Sequence, residues 1–163
     1  MFQVPSPPRS GRPDVGSGME KRLLITGAGT GASNNLIRSL RAGDPSLFLV
    51  GCHDDRFVLK MSLADRNYLM PAVSRPGFAA ALRRIIETEK IDLLIPNSDP
   101  DVRVISRLRG KIPCRLFLPR KATIELCQDK YNLNVSLRSR GLPVPVTSPV
   151  TDPKKIGSLF RRL

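Results

Sequence analysis

The sequence contains no tryptophan, and aromatic residues make up only 5% of it. Single-stranded nucleic acids are held largely by bases that stack on aromatic side chains, so nucleic-acid binding is disfavoured despite a formal net charge of +13. Cysteine is also scarce, with Cys52, Cys114 and Cys127 far apart in the chain. Their spacing fits neither a zinc site nor a disulfide framework. We therefore predict no metal site, and a reduced, cytoplasmic protein.

Long hydrophobic runs are absent as well. No segment approaches the ~20 apolar residues that a membrane-spanning helix needs, and residues 1–18 lack the apolar core of a signal peptide. We therefore expect no membrane partner. Residues 1–18 are rich in Pro, Gly and Ser and show no periodic apolar pattern, which predicts a disordered tail. Met19, directly before the first predicted strand, is expected to be the natural start.

Acidic residues are few in the last third of the chain. Residues 1–100 carry 13 Lys and Arg against 10 Asp and Glu, whereas residues 101–163 carry 14 against 4. Such an asymmetry indicates a nucleic-acid or phosphate partner, an acidic region absent from this chain, or simply basic helix faces exposed to water.

A glycine turn is the most informative feature that the sequence does contain. The apolar run 23–25 is followed by Gly27, Gly29 and Gly31, which with Ala32 give a G-x-G-x-x-A spacing. Residues 33–40 then carry apolar side chains at helical spacing. A strand, a glycine turn and a helix start are typical of the first unit of a Rossmann-like sheet. The glycines either contact a small ligand or phosphate, or they permit close packing of strand and helix.

The remaining apolar segments alternate between strand and helix patterns. Strands are predicted at 47–51, 68–71, 92–95 and 115–118, and helices at 78–86 and 102–108. This order predicts an α/β fold, a Rossmann-like open parallel sheet with helices on both faces. Asn97, Ser98 and Asp99 follow a predicted strand, so we expect this loop and the glycine turn at the ligand-binding edge of the sheet. Residues 131–137 alternate like a strand, but Asp129 as an N-cap and Gly141 as a stop favour a helix.

The polar residues after the second predicted strand offer a further candidate. Asp54 and Asp55 stand where a dinucleotide site carries its ribose-binding acid, or they are solvated loop residues. His53 beside Cys52 is not expected to form a catalytic pair, because neighbours in a strand point to opposite faces. Asp99 and Asp101 form either a substrate-loop pair or, in the case of Asp99, a helix cap.

Four segments together resemble the N-terminal (pre-ATP-grasp) domain of ATP-grasp ligases, the family of carbamoyl phosphate synthase large chain and biotin carboxylase. They are residues 23–29, 91–99, 127–131 and 137–147, within a stretch of about residues 21–150. The most discriminating part is the Asp-Lys-Tyr sequence at 129–131, followed by Gly-Leu-Pro-Val-Pro at 141–145. In that family this part joins the N-terminal domain to the ATP-grasp domain.

The resemblance implies an enzyme that activates a carboxylate with ATP as an acyl phosphate and couples it to an amine. It implies ATP and Mg²⁺ as cofactors of the intact enzyme and a small-molecule carboxylate as substrate. It also implies that the lysine at Lys130 contacts the nucleotide, a role that suits a compact ammonium on a flexible stem.

The sequence departs from the family at its end, because Leu163 precedes the lid, the second nucleotide lysine and the acidic Mg²⁺ ligands. We therefore expect residues 19–120 to form the pre-ATP-grasp domain, and residues 121–163 a linker helix and the truncated start of an ATP-grasp domain. The rest of that domain, missing or separately encoded, is the expected partner. This chain alone is expected to have no catalytic residue, no ligase or ATPase activity and no tightly bound ATP or Mg²⁺. Apolar residues at 156, 159, 160 and 163 predict an exposed helical stripe.

Two alternatives stay open at this point. One is an NAD(P)-binding oxidoreductase or epimerase, which is disfavoured because neither Tyr68 nor Tyr131 has a lysine four residues later. The other is a basic nucleic-acid-binding module.

Overall fold

The computed structural model describes residues 2–4 and 20–161. The chain divides into two units, Met1–Leu118 and Pro119–Leu163, which are described separately below. Within the described residues, none of the helices combines the length and the apolar character needed to cross a membrane.

The first unit is built on a six-stranded sheet. Its strands are β1 Phe2–Val4, β2 Arg22–Thr26, β3 Phe48–His53, β4 Arg66–Leu69, β5 Leu93–Ile95 and β6 Arg115–Leu116. The order across the sheet is β1-β4-β3-β2-β5-β6, and the five strands from β4 to β6 run parallel. The predicted open parallel sheet is confirmed.

Strand β1 differs from the expectation of a disordered tail over residues 1–18. It pairs antiparallel with β4, in a register that places Phe2 opposite Leu69 and Val4 opposite Asn67. The edge of β4 would otherwise present unpaired backbone groups, which a short extended segment can satisfy. Residues 5–19 lie outside the described part of the chain.

Helices cover both faces of the sheet, as predicted. The helices of this unit are α1 Gly31–Gly43, α2 Arg56–Leu59, α3 Phe78–Thr88 and α4 Asp99–Arg107. One buried cluster joins Ile37 of α1 to apolar side chains of β2, β3 and β5. The other joins α3 and α4 to the opposite face, through Leu82, Ile85 and Ile105. The alternation of side chains along each strand divides them between these two cores.

An ionic cluster ties α3 to the amino ends of the strands. The carboxylate of Glu89, just after α3, is 1% exposed and lies 2.9 Å from the guanidinium of Arg66. It also accepts hydrogen bonds from Arg22 and from the hydroxyl of Tyr68, and the Arg22 guanidinium stacks on the Phe48 ring. Burial opposes ionisation of Glu89, but the hydrogen bonds from its partners prevail and lower its pKa. This cluster lies at the end of the sheet away from the candidate site.

The second unit consists of short helices, α5 Lys121–Gln128, α6 Lys130–Arg138 and α7 Ile156–Phe160, with a 3-10 turn at Pro153–Lys155. The helix predicted for residues 131–137 is confirmed, and Asp129 caps it by accepting a hydrogen bond from the backbone N–H of Asn132 at 2.9 Å. Gly141 adopts a positive φ of 77° just after the helix, as expected for a stop. The strand-like alternation of residues 131–137 was misleading. In so short a segment, the N-cap and the stop residue at its ends indicate the structure better than the period of its apolar side chains.

Candidate functional site

A cavity of about 420 Å³ opens at the carboxyl ends of the parallel strands. It is lined by residues that follow β2, β3, β4 and β5 and by the first turn of α4. The chain leaves β2 and β5 in opposite directions across the sheet, so the cavity lies at the topological switch point, where open α/β sheets bind ligands.

The glycine turn forms one corner of this cavity and is held rigidly. Gly27 has a positive φ of 66°, and its carbonyl accepts hydrogen bonds from the hydroxyls of Thr30 at 2.9 Å and Ser33 at 2.7 Å. Thr30 caps α1, and Ser33 is fully buried. The hydroxyls of both residues therefore serve the turn itself.

Gly29 has a packing role. Its φ is 96°, and a Cβ on it would stand 1.9 Å from the carbonyl oxygen of Val58 in α2. The backbone of α2 thus lies directly against the turn and occupies the space over Gly29. Gly31, the first residue of α1, has nothing within 4 Å of a Cβ position. Of the three glycines, only Gly27 lines the cavity.

A chain of hydrogen bonds links the glycine turn to α4. The backbone N–H of Asn97 donates to Thr26 Oγ1 at 3.1 Å, and this hydroxyl donates to Asp101 Oδ2 at 2.7 Å. The Asn97 side chain donates to Ser33 Oγ at 2.7 Å. Ser98 accepts a hydrogen bond from the backbone N–H of Asp101 and caps α4. The cap is therefore Ser98 and not Asp99, which is already the first helical residue.

The acidic residues after β3 divide between structure and cavity. Asp55 caps α2 by accepting hydrogen bonds from Phe57 and Val58, which lower its pKa. Asp54 lines the cavity and is half exposed. Nδ1 of His53 lies 3.0 Å from Asp54 Oδ1 and also accepts the backbone N–H of Asp55 at 2.8 Å. Nδ1 can make only one of these hydrogen bonds at a time, because it accepts from Asp55 when it carries no hydrogen and donates to Asp54 when it carries one.

Cys52 is unsuited to nucleophilic chemistry, although it lines the cavity beside His53. Burial, reinforced by the charge of Asp101, raises the pKa of its thiol far above the usual range. The remaining wall is apolar, with Met70, Val73 and Phe78 facing the same space. The cavity therefore combines one polar corner with one apolar wall, the usual composition of a small-molecule site.

The predicted site residues are only partly brought together. Gly27 and Ser98 line the cavity, and Asn97 supports it through two hydrogen bonds. Asp99 does not line it, although its neighbour Asp101 does. Lys130 belongs to the second unit, where it opens α6 and its ammonium donates to the carbonyl of Cys127 at 3.0 Å.

Sequence reasoning missed several residues that shape the cavity. Thr26 is not among the residues that the sequence singled out, yet its hydroxyl orients Asp101. Gly51 was not singled out, although a Cβ there would stand 2.4 Å from Asn67 Oδ1 and 2.7 Å from Ala28 Cβ. The available signal was a glycine and a threonine inside buried strands, positions where close approach or a hydrogen bond is common.

The donor set of the cavity limits what it can hold. Within the part of the chain that the structure describes, no three His, Cys, Asp or Glu side chains converge as a metal site would require. Of the described residues that line the cavity, none is Lys or Arg. Without a cationic side chain and without three converging metal ligands, the described lining is a poor match for a nucleotide with its Mg²⁺.

The fold is shared with solved structures of ATP-grasp enzymes. An L-amino acid ligase from Bacillus licheniformis is 15% identical with a TM-score of 0.60, over 90% of this chain and 43% of that chain. The biotin carboxylase domain of Hydrogenobacter thermophilus 2-oxoglutarate carboxylase, in complex with MgADP, ADP and bicarbonate, is 14% identical with a TM-score of 0.55, over 89% of this chain and 33% of that chain.

A third structure, the biotin carboxylase domain of a single-chain bacterial carboxylase, is 16% identical with a TM-score of 0.55, over 87% of this chain and 34% of that chain. No protein-family model matches the sequence, and no curated protein matches it. The chain thus spans between a third and less than half of the structures it resembles. The sequence resemblance is confirmed at the level of the fold.

Proposed function

We propose that this chain is the N-terminal, substrate-side and nucleotide-side domain of an ATP-grasp carboxylate–amine ligase. The observation that carries the proposal is the shared fold, which covers 90% of the chain in the comparison with an amino acid ligase. The discriminating sequence segment adds support, because residues 129–145 form a capped helix followed by an extended stretch that turns back onto it. Arg138 donates to the carbonyl of Pro145, and Asn134 to Thr147.

Each part of the chain has a role in this proposal. The cavity at the carboxyl edge of the sheet takes the small-molecule substrate. Lys130 contacts the nucleotide in the assembled enzyme. Its exposed ammonium would have to break only one hydrogen bond, the one to a carbonyl, in order to do so. ATP and Mg²⁺ are held mainly by an ATP-grasp domain, the proposed partner, because the described lining of the cavity has no cationic side chain and no group of three metal-ligating side chains. The chemistry that ATP supplies is activation of a carboxylate, and this chain positions the substrate for it.

The dinucleotide alternative is opposed by the same turn that suggested it. A pyrophosphate needs open space over the glycines at the helix N-terminus. Here the carbonyl of Val58 fills the space over Gly29, and Asp55, one of two acids considered for the ribose, is engaged in capping α2.

The test combines this chain with the ATP-grasp polypeptide that we expect to be encoded next to it. Phosphate release is measured with ATP, Mg²⁺ and a panel of amino acids, first with the chain alone and then with both polypeptides. We expect no turnover from the chain alone and amino-acid-dependent turnover from the pair, reduced by Lys130→Ala. Turnover by the chain alone that vanishes in Lys130→Ala would contradict the need for a partner domain. A gene neighbourhood that encodes no ATP-grasp domain would contradict the proposed partner.

A further inference from the structure

The charged side chains that line the cavity are opposite in sign to the net charge of the chain. Although the protein is basic overall, the ionisable side chains among the described lining residues are Cys52, His53, Asp54 and Asp101. We propose that this cavity binds the ammonium group of a small primary amine with an apolar carbon chain, an amino acid being the natural case. The inference rests on the proposed function and deepens it by naming which end of the substrate enters the cavity.

Asp101 provides a carboxylate held ready for a cation. Its Oδ2 is fixed by the hydroxyl of Thr26, which is itself held by the backbone N–H of Asn97. Its Oδ1 accepts no hydrogen bond from any group in the described residues. Because one oxygen is pinned, the other keeps a defined direction, and little side-chain entropy is lost when a ligand binds it. Charge-assisted hydrogen bonds of this kind are stronger than neutral ones.

The second acid of the cavity lining, Asp54, follows β3. No arginine or lysine is among the described residues that line the cavity with it. Nδ1 of the His53 ring lies 3.0 Å from Asp54 Oδ1. When Nδ1 accepts the backbone N–H of Asp55, the ring offers Asp54 no proton at that atom. A ligand ammonium with three donors would then donate to Asp54 directly.

The start of α4 does not turn this corner into an anion site. The partial positive charge of a helix N-terminus attracts anions, but α4 carries Asp99 and Asp101 in its own first turn. Its second residue, Pro100, has no N–H to offer. An anionic group placed in the cavity would meet Asp54 and Asp101 without a compensating cation.

The apolar wall defines the rest of the ligand. Met70, Val73 and Phe78 line the cavity, and the volume of about 420 Å³ is within the range of small-molecule sites. A branched aliphatic chain of a few carbons would bury its surface there, while the ammonium meets Asp101. An amino acid bound this way keeps its carboxylate away from both acids, which would repel it.

The experiment compares two probes with one carbon skeleton and opposite charges. The full chain, labelled with ¹⁵N, is titrated at pH 7 with 3-methylbutylamine and with 3-methylbutanoate, and inorganic phosphate serves as a third probe. We expect saturable amide shifts for the amine at residues 26–30 and 98–101, and at least tenfold weaker binding of either anion. Equal binding of 3-methylbutanoate or phosphate, or no saturable binding of the amine, would overturn the inference.

Variants locate the effect. Asp101→Asn should weaken amine binding at least tenfold, whereas Glu125→Gln removes the same charge from an exposed pair in the second unit and should leave it unchanged. Since Asp101→Asn disturbs the bond to Thr26, Ser74→Lys provides an independent test. Ser74 is exposed at the cavity, so a lysine there should weaken amine binding without loss of a buried contact. Binding unchanged in both variants would place the amine elsewhere.

The two proposals fail in different ways. Amine binding without an ATP-grasp partner in the gene neighbourhood would retain the cavity assignment and remove the ligase. Partner-dependent turnover without amine binding to this chain would retain the ligase and remove the cavity assignment.

Discussion

Residues 20–118 and residues 119–161 differ in how far they bury their apolar side chains. The first region buries two clusters on the two faces of a sheet, including Leu24, Ile25, Ile37 and Leu94 at 0% exposure. In the described part of the second region, Ile124 is the one buried apolar residue. Seven large hydrophobic side chains there are exposed, at positions 131, 135, 142, 146, 150, 156 and 160. Most of the large hydrophobic side chains that are exposed in the described residues thus belong to the second region.

The difference indicates that the first region carries most of the stability, and it supports the proposal that the second region binds a partner domain. Helices as short as α5, α6 and α7 are marginal without tertiary packing. The exposed stripe predicted at the chain end is confirmed at Ile156 and Phe160, while Leu159 is half-buried and Leu163 lies outside the described residues. This surface agrees with the proposed partner domain.

We expect the largest difference in unfolding free energy between two glycine variants, one from each region. Gly29→Ala should cost roughly 5 kcal/mol, since it combines left-handed backbone strain with overpacking against α2. Gly141→Ala shares the positive φ, but a Cβ there meets nothing within 4 Å, so it should cost only about 1 kcal/mol. Urea unfolding measures both. Equal costs would mean that α2 does not press on the glycine turn.

We expect a slightly smaller difference in unfolding free energy between two variants that each lose one acid, one from each region. Glu89→Gln leaves Arg22 and Arg66 without their buried partner and should cost about 4 kcal/mol at neutral pH. Glu125→Gln breaks an exposed pair with Lys121 and should cost less than about 0.5 kcal/mol. Chemical denaturation of the two variants at pH 7 measures these costs.

The contribution of Glu89 should also depend on pH, with a definite sign. Its pKa is lowered in the folded protein from an ordinary value of 4.5. The stabilisation is therefore complete above that value and is lost as the pH falls through the lowered pKa. The difference in unfolding free energy between wild type and Glu89→Gln should shrink on acidification. A difference that grows below pH 4.5 would contradict an ionised Glu89.

A smaller effect is expected from one leucine in each region. Leu94→Ala deletes a fully buried side chain and should cost about 3 kcal/mol. Leu142 is half exposed, so Leu142→Ala should change the unfolding free energy by less than about 0.5 kcal/mol. Thermal unfolding of the two variants measures the contrast. A comparable cost at Leu142 would show that the second region has a core of its own.

The same contrast explains what the sequence could predict. Strands β2, β3 and β5 and helices α1, α3 and α4 bury one face or both, so their apolar spacing indicated them. Helix α5 passed unnoticed because only Ile124 is buried in it, which leaves no amphipathic pattern to detect. Helix α2, with four residues, was likewise too short for a periodic signal.

The cavity was predictable in position but not in character. The glycine turn and the Asn97–Asp99 loop indicated the right edge of the sheet, because strand ends meet there in any open parallel fold. Which acid faces the cavity depends on local turns: Asp55 caps α2 while Asp54 remains available, and Asp101 rather than Asp99 meets Thr26. The sequence shows these pairs as neighbours with identical chemistry. The cluster around Glu89 was also hidden, because the partners of Glu89 lie 21 to 67 residues before it in the chain.

Hydrogen exchange on the chain alone measures whether residues 119–161 are stable without the proposed partner domain. We expect the backbone amides of β2 and β5 to be strongly protected, because they lie between two buried cores. Amides from 147 to 161 should exchange fast, and those of α5 and α6 should be only weakly protected. Protection at 156–161 equal to that of β2 would show that this segment is already docked, and it would contradict the proposed need for a partner domain.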